Sequence, residues 1–147
     1  MLLPGYALMS QGTQIHVATW PGTSSSRHSF LSAAFASQAA AYVIDVGGLF
    51  SQQSIPEEYR ELDREMPGES SIYDPNGNLI AGPAEGETIL IAEGSTEAIY
   101  AAKAECDIGG HYSRPDIFQL HINRKPTQRV VNIDTEVDPV NINPPFD

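Results

Sequence analysis

The sequence predicts a mixed α/β domain. Short apolar runs of strand type, such as Gln14–Thr19 and Tyr42–Val46, alternate with stretches of helical character, Phe30–Ala40 and Thr96–Glu105. The tight-turn sequence Asp74-Pro75-Asn76-Gly77 lies between two further apolar runs and signals a hairpin. No apolar run approaches the ~18 residues of a membrane helix, and 41% hydrophobic residues is the proportion of a folded chain.

Each element has a local cause. Tyr6–Gln11 reads as the tail of a helix that Gly12 stops. Pro4 makes a helix starting at Met1 awkward. In Gln14–Thr19, Ile15 and Val17 face one way and His16 and Ala18 the other. Trp20-Pro21-Gly22 ends that strand, and Ser24, Ser25 and Ser26 form a loop with candidate N-caps. Phe30–Ala40 is Ala-rich, with Leu31 and Phe35 one turn apart, so this helix can lie close on a sheet. Tyr42–Val46 is a strand closed by Gly47-Gly48. Pro56–Glu65 is polar and charged and reads as an exposed helix, broken by Pro67 and Gly68. Ser71–Tyr73 and Leu79–Ala81 are the hairpin strands. Thr88–Ala92 reads as another strand, and Thr96–Glu105 as a helix capped by Ser95 or Thr96. Phe118–Ile122 reads as a last core strand. Residues 1–123 thus form one domain. Residues 124–147 form a Pro-rich tail in which Val131, Ile133, Thr135 and Val137 alternate with Asn132, Asp134 and Glu136, as a strand or arm would.

Composition narrows the function. The formal net charge is -11, with eight Lys and Arg against 19 Asp and Glu. That balance disfavours nucleic acid and anionic membranes as partners. The N-terminal residues make a poor signal peptide, and the single cysteine forms no intrachain disulfide, which fits a cytoplasmic setting.

Most chemistry-bearing residues have a bland explanation. Cys106 follows a helix C-terminus between Glu105 and Asp107, a setting opposite to that of a reactive thiol. His16, His28, His111 and His121 are scattered without metal-ligand spacing, so neither a metal nor a cofactor is expected. Lys103 reads as a surface residue near a helix end. Glu57, Glu58, Glu61 and Glu65 read as a solvated helix face. Two places stand out. Trp20 and Pro21 end a strand, where α/β sheets favour ligands, although Trp20 is equally a core residue on this reading. In Ser113-Arg114-Pro115-Asp116, Pro115 holds Arg114 extended, poised for a bidentate contact. A structural clamp is the favoured role there, with substrate binding the lesser one.

Several segments, in this order and spacing, resemble the nitrilase and cyanide-hydratase branch of the carbon-nitrogen hydrolases. They are Gln11 to Pro21, Tyr73-Asp74-Pro75-Asn76-Gly77-Asn78-Leu79-Ile80-Ala81-Gly82-Pro83, Glu85-Gly86-Glu87-Thr88-Ile89-Leu90, and Gly110-His111-Tyr112-Ser113-Arg114-Pro115-Asp116. Ala92-Glu93-Gly94-Ser95-Thr96 and Cys106 depart from the family pattern. The resemblance implies the C-terminal half of a four-layer αββα sandwich. It implies nitrile hydrolysis to a carboxylic acid and ammonia through a cysteine nucleophile, a lysine and a glutamate. The Cys-Trp-Glu motif of that nucleophile is absent here, so the expectation is a fragment with no catalytic residue of its own. By the same resemblance Trp20 and Pro21 line a substrate pocket, and His111, Arg114 and Asp116 are structural or interface residues. Val130–Val137 is expected to be an oligomerisation arm. The alternative is a non-catalytic oligomerising subunit that binds a nitrilase or a missing N-terminal half.

Overall fold

The computed structural model describes residues 2–21, 26–62 and 66–123. The tail from Arg124, with the arm expected at Val130–Val137, lies outside them.

A helix, α1 (Leu2–Met9), leads into a strand, β1 (Ile15–Trp20). Pro4 falls in the first turn of α1, where its missing N–H has no partner to lose, so the helix begins earlier than expected. Gly12, at φ 73°, turns the chain away. The longest described helix, α2 (Ser26–Ala39), crosses over to β2 (Tyr42–Gly47), which lies parallel to β1 with Ile15 opposite Tyr42 and Trp20 opposite Gly47. The stop of α2 is not a glycine. Ala40 itself takes the left-handed conformation, at φ 48°, and the Ala41 N–H bonds back to the Ala36 carbonyl at 3.1 Å.

The chain then forms a two-stranded ribbon, β3 (Leu49–Phe50) with β4 (Met66–Pro67), which the sequence did not announce. Between them Glu57–Leu62 forms a 3-10 helix in place of part of the α-helix expected over Pro56–Glu65; residues 63–65 are outside the description. Glu57, Glu58 and Tyr59 are exposed, so burial of an apolar stripe does not lock an α-helix there.

The expected hairpin is present as β5 (Ser70–Tyr73) and β6 (Leu79–Ala84). Its turn is held by one carboxylate. Asp74 Oδ1 accepts from the Asn76 and Asn78 backbone N–H groups at 2.9 and 2.8 Å, and Oδ2 accepts from Asn78 Nδ2 at 3.0 Å. Gly77, at φ 85°, completes the turn against α2, where a Cβ would stand 2.8 Å from the Ala33 carbonyl oxygen. Strand β5 pairs antiparallel with β2, giving a four-stranded mixed sheet in the order β1-β2-β5-β6. Among the described residues β1 and β6 are its open edges.

The last helix, α3 (Thr96–Glu105), is capped by Ser95, whose Oγ accepts from the Ala98 N–H at 3.2 Å. Two expected strands do not form. Thr88–Ala92 has no ladder, with Ile89 and Ile91 85% and 83% exposed. Phe118–Ile122 has none either, and Phe118 is 74% exposed. Both have the composition of strands, but a strand is fixed by its neighbours more than by propensity, and no described strand pairs with either segment.

The two faces of the sheet differ. Helix α2 covers the face of His16, Ala18, Val43, Asp45, Ser71 and Tyr73, where Ala36, Val43 and Tyr73 form a buried cluster. The opposite face carries Ile15, Val17, Ile44, Val46, Ile72 and Ile80. Ile15 and Val17 remain 62% and 53% exposed, and Val46 and Ile80 39% each.

Candidate functional site

The carboxyl ends of β1 and β2 point the same way, because α2 links them as a parallel pair. Trp20 ends β1 on the face covered by α2, half-buried, and Pro21 beyond it is exposed. The Trp20 indole Nε1 donates to the Ser32 Oγ at 3.1 Å, and its ring lies 5.9 Å from the His28 ring. Asp45, on β2, shares this face. His28, Ser32 and Asp45 are 4%, 2% and 0% exposed.

This polar cluster is unusual for a core. Both ring nitrogens of His28 and both carboxylate oxygens of Asp45 are buried without a hydrogen-bond partner. Leaving such a group unpaired costs about 1–3 kcal/mol. Burial pushes the Asp45 carboxyl above its ordinary range, and the nearby Ser32 hydroxyl and His28 pull it partly back. The cluster was legible in part. Asp45 interrupts an apolar strand, and period-two alternation puts it on the side of Val43, toward the core.

The other residues singled out by sequence lie elsewhere. His111 is exposed beside Tyr112, with ring centroids 4.6 Å apart. Arg114 and Asp116 form the bidentate pair that Pro115 suggested, Nε to Oδ1 at 2.8 Å and Nη2 to Oδ2 at 2.6 Å. The pair holds the Asp116 carboxyl below the usual carboxylate range. Its side chains are both 60% exposed and only two positions apart, so it fixes a local turn in water and makes no buried bond to another element. Arg114→Ala is therefore expected to leave the thermal midpoint of the chain unchanged, as measured by circular dichroism, because an exposed pair adds little stability.

His16 packs on Phe35 at 4.6 Å. Cys106 is exposed at the C-cap of α3, its N–H bonded to the Ala102 carbonyl. Lys103 is half-buried and not a plain surface residue. It donates to the Ala39 carbonyl at 3.3 Å, tying α3 to the end of α2. Among the described residues no three His, Cys, Asp or Glu side chains gather as around a metal ion. No described helix is long and apolar enough to cross a membrane.

On the bare face of the sheet, Ile15, Tyr42, Ile44, Ile72, Ile80 and Ile99 line a groove. Tyr42 closes one end, where its hydroxyl accepts from the Ser95 N–H at 3.0 Å.

Comparison with known proteins gives these features a setting. Residues 4–104 match the carbon-nitrogen hydrolase family. The chain belongs to that family. It is 48% identical over 142 residues to Nitrilase 2 of an unknown prokaryotic organism, an alignment covering 94% of this chain and 45% of that protein. It is 31% identical over 148 residues to a nitrilase of Pseudomonas syringae pv. syringae, covering 89% and 44%. It is 27% identical over 168 residues to a cyanide hydratase of Botryotinia fuckeliana, covering 95% and 45%. The chain thus spans less than half the length of each of these relatives. Its mixed sheet, helix-covered on one side, is a partial carbon-nitrogen hydrolase fold.

Proposed function

We propose that this chain acts as the C-terminal half of a nitrilase-type carbon-nitrogen hydrolase, inactive alone and active when its bare sheet face is covered by a half carrying the cysteine, lysine and glutamate. The reaction is R–C≡N + 2 H2O → R–COOH + NH3. A thiolate adds to the nitrile carbon to give a thioimidate. One water displaces ammonia and leaves a thioester; a second releases the acid and restores the thiol. The lysine stabilises the tetrahedral species and the glutamate moves the protons.

The single observation that carries this reading is the exposed apolar face of Ile15, Val17, Val46 and Ile80, over which no second sheet lies among the described residues, on a chain of this family. A sheet needs a second layer over such a surface. On this reading Trp20 and Pro21, at the carboxyl end of β1, wall the pocket for the organic group of the nitrile. His111 and the exposed Arg114–Asp116 pair belong to the surface offered to a neighbouring subunit.

The purified chain is expected to release no ammonia from aliphatic or aromatic nitriles. Co-expression with the N-terminal half of a nitrilase, through its Cys-Trp-Glu motif, is expected to give both a stable complex and ammonia release. Turnover by the chain alone that disappears in Cys106→Ala would overturn this and make Cys106 the nucleophile. In the complex, Arg114→Ala is expected to change subunit size in light scattering and leave folding intact.

A further inference from the structure

A buried hydroxyl on α2 needs a reason to be there. His28, Ser32 and Ala36 follow one another by one helical turn and are 4%, 2% and 0% exposed, so they form the stripe that meets the sheet. The rest of this helix is rich in alanine. An alanine at position 32 would fill the same stripe without taking an oxygen out of water. What Ser32 adds is an acceptor. Its Oγ takes the N–H of the Trp20 indole at 3.1 Å, and buried polar atoms are kept where they have such a partner.

The sheet gives that ring no cross-strand neighbour. Trp20 ends β1, an edge strand among the described residues, and the residue opposite it on β2 is Gly47, which has no side chain to pack. The indole is held from α2 instead. The His28 ring stands 5.9 Å from it, tilted by 45°, and Ser32 binds its nitrogen one turn further on. An indole has one polar hydrogen, its N–H. With that spent on a buried oxygen, what the half-buried ring has left to present at the end of β1 is hydrocarbon.

We propose that Ser32 is a positioning residue for Trp20. It turns the polar edge of the indole into α2, and the wall left at the end of β1 then favours a nitrile whose organic group is hydrocarbon over one that carries a hydrogen-bond acceptor there. The selectivity rests on the reading of Trp20 as a pocket wall; the hold of Ser32 on the indole does not. Loss of the hydroxyl leaves a buried N–H unpaired, and the ring turns until it meets water or a substrate oxygen.

Two measurements separate the hold from the selectivity. Trp20 is the one tryptophan of the chain, so the emission of the purified chain and its quenching by acrylamide report this ring alone. Ser32→Ala is expected to move the emission to longer wavelength and to raise the quenching, with the far-ultraviolet circular dichroism unchanged. In the complex with a nitrilase N-terminal half, ammonia release is followed with hexanenitrile and with 3-ethoxypropionitrile, which has nearly the same shape and an ether oxygen in place of one methylene. Ser32→Ala is expected to raise KM for hexanenitrile roughly 2- to 10-fold, the net worth of one hydrogen bond, with kcat little changed and the preference moved toward the ether. Trp20→Phe keeps an aromatic wall without the N–H, and in that background Ser32→Ala is expected to have no further effect. Should Ser32→Ala fail to fold, Ser32→Cys, of similar size and a weak acceptor, carries the same expectations. Unchanged emission and quenching would refute the hold. An active complex in which Ser32→Ala leaves KM and preference unchanged, or alters them equally in the Trp20→Phe background, would refute the selectivity. A complex that releases no ammonia from either nitrile overturns the hydrolase reading and the selectivity with it, and the fluorescence alone then decides the hold on the indole.

Discussion

Gly47→Ala is expected to destabilise the chain by about 1–3 kcal/mol or more, since an added methyl in a filled site forces the backbone to move. Gly47 ends β2 where the chain turns into the β3–β4 ribbon, and its N–H donates to Ser70 Oγ at 3.1 Å. A Cβ at this position would overlap the carbonyl of Gly68, a group on the main chain that cannot rotate aside. Gly68 is itself buried, at φ 96°. The two glycines therefore let two backbones touch, and the sheet order on both sides depends on that contact. In a chain of this size each kcal/mol lowers the thermal midpoint by roughly 2–4 °C. Gly12→Ala is the control. Its φ of 73° is left-handed, unlike that of Gly47, but a Cβ there meets nothing within 4 Å, so only the ~1 kcal/mol of left-handed backbone is lost. Equal midpoints for the two variants, by circular dichroism, would show that Gly47 and Gly68 are not in contact.

The chain purified alone is expected to self-associate, and Ile15→Lys with Val17→Lys is expected to return it to a monomer. Soluble monomers tolerate bare apolar patches of a few hundred Å2. Here β1 presents Ile15 and Val17 at 62% and 53% exposure, beside Val46 and Ile80. Alternation places all of them on the face that α2 does not reach. The two lysines therefore enter water and not the core, and the Ala36–Val43–Tyr73 cluster is untouched. Size-exclusion chromatography with light scattering measures the outcome. A monodisperse native monomer that binds no hydrophobic dye would mean the sheet is closed by other means.

What could be read from the sequence was what local chemistry decides. Gly12 ended α1, Ser95 capped α3, and Asp74-Pro75-Asn76-Gly77 announced its hairpin, because each acts through neighbours a few residues away. Strands β1 and β2 were legible because their apolar residues alternate or run together. What failed depends on distant contacts. Thr88–Ala92 and Phe118–Ile122 have strand composition but no ladder. The ribbon of Leu49–Phe50 with Met66–Pro67 is set by the Gly47–Gly68 approach, invisible to any local pattern. The left-handed stop of α2 was not legible, since Ala40 adopts a conformation that an alanine does not advertise. At the candidate site, Trp20 stood out by type and position. Its partners His28 and Ser32, twelve residues away or fewer, did not, because which helical residues meet the strand depends on how α2 lies across the sheet.

The linkage at Asp45 has a sign. Its pKa is raised by burial above the unfolded value of 3.8, so the folded state holds this proton more tightly. The resulting stability is fully present below the unfolded value and is lost as pH rises through the folded one.

Among the described residues the edge of β1 is open, and on the proposed reading this makes time matter for a newly made chain. Its outward backbone groups accept any extended segment that arrives, whether a complementary domain or another copy of itself. Capture by a complement grows in proportion to the amount of this chain, whereas loss to its own copies grows as the square. On the proposed reading, a cell that makes little of the chain, beside ample complement, assembles nearly all of it. One that makes it in excess loses a growing share to precipitate, even though no single molecule has become less stable.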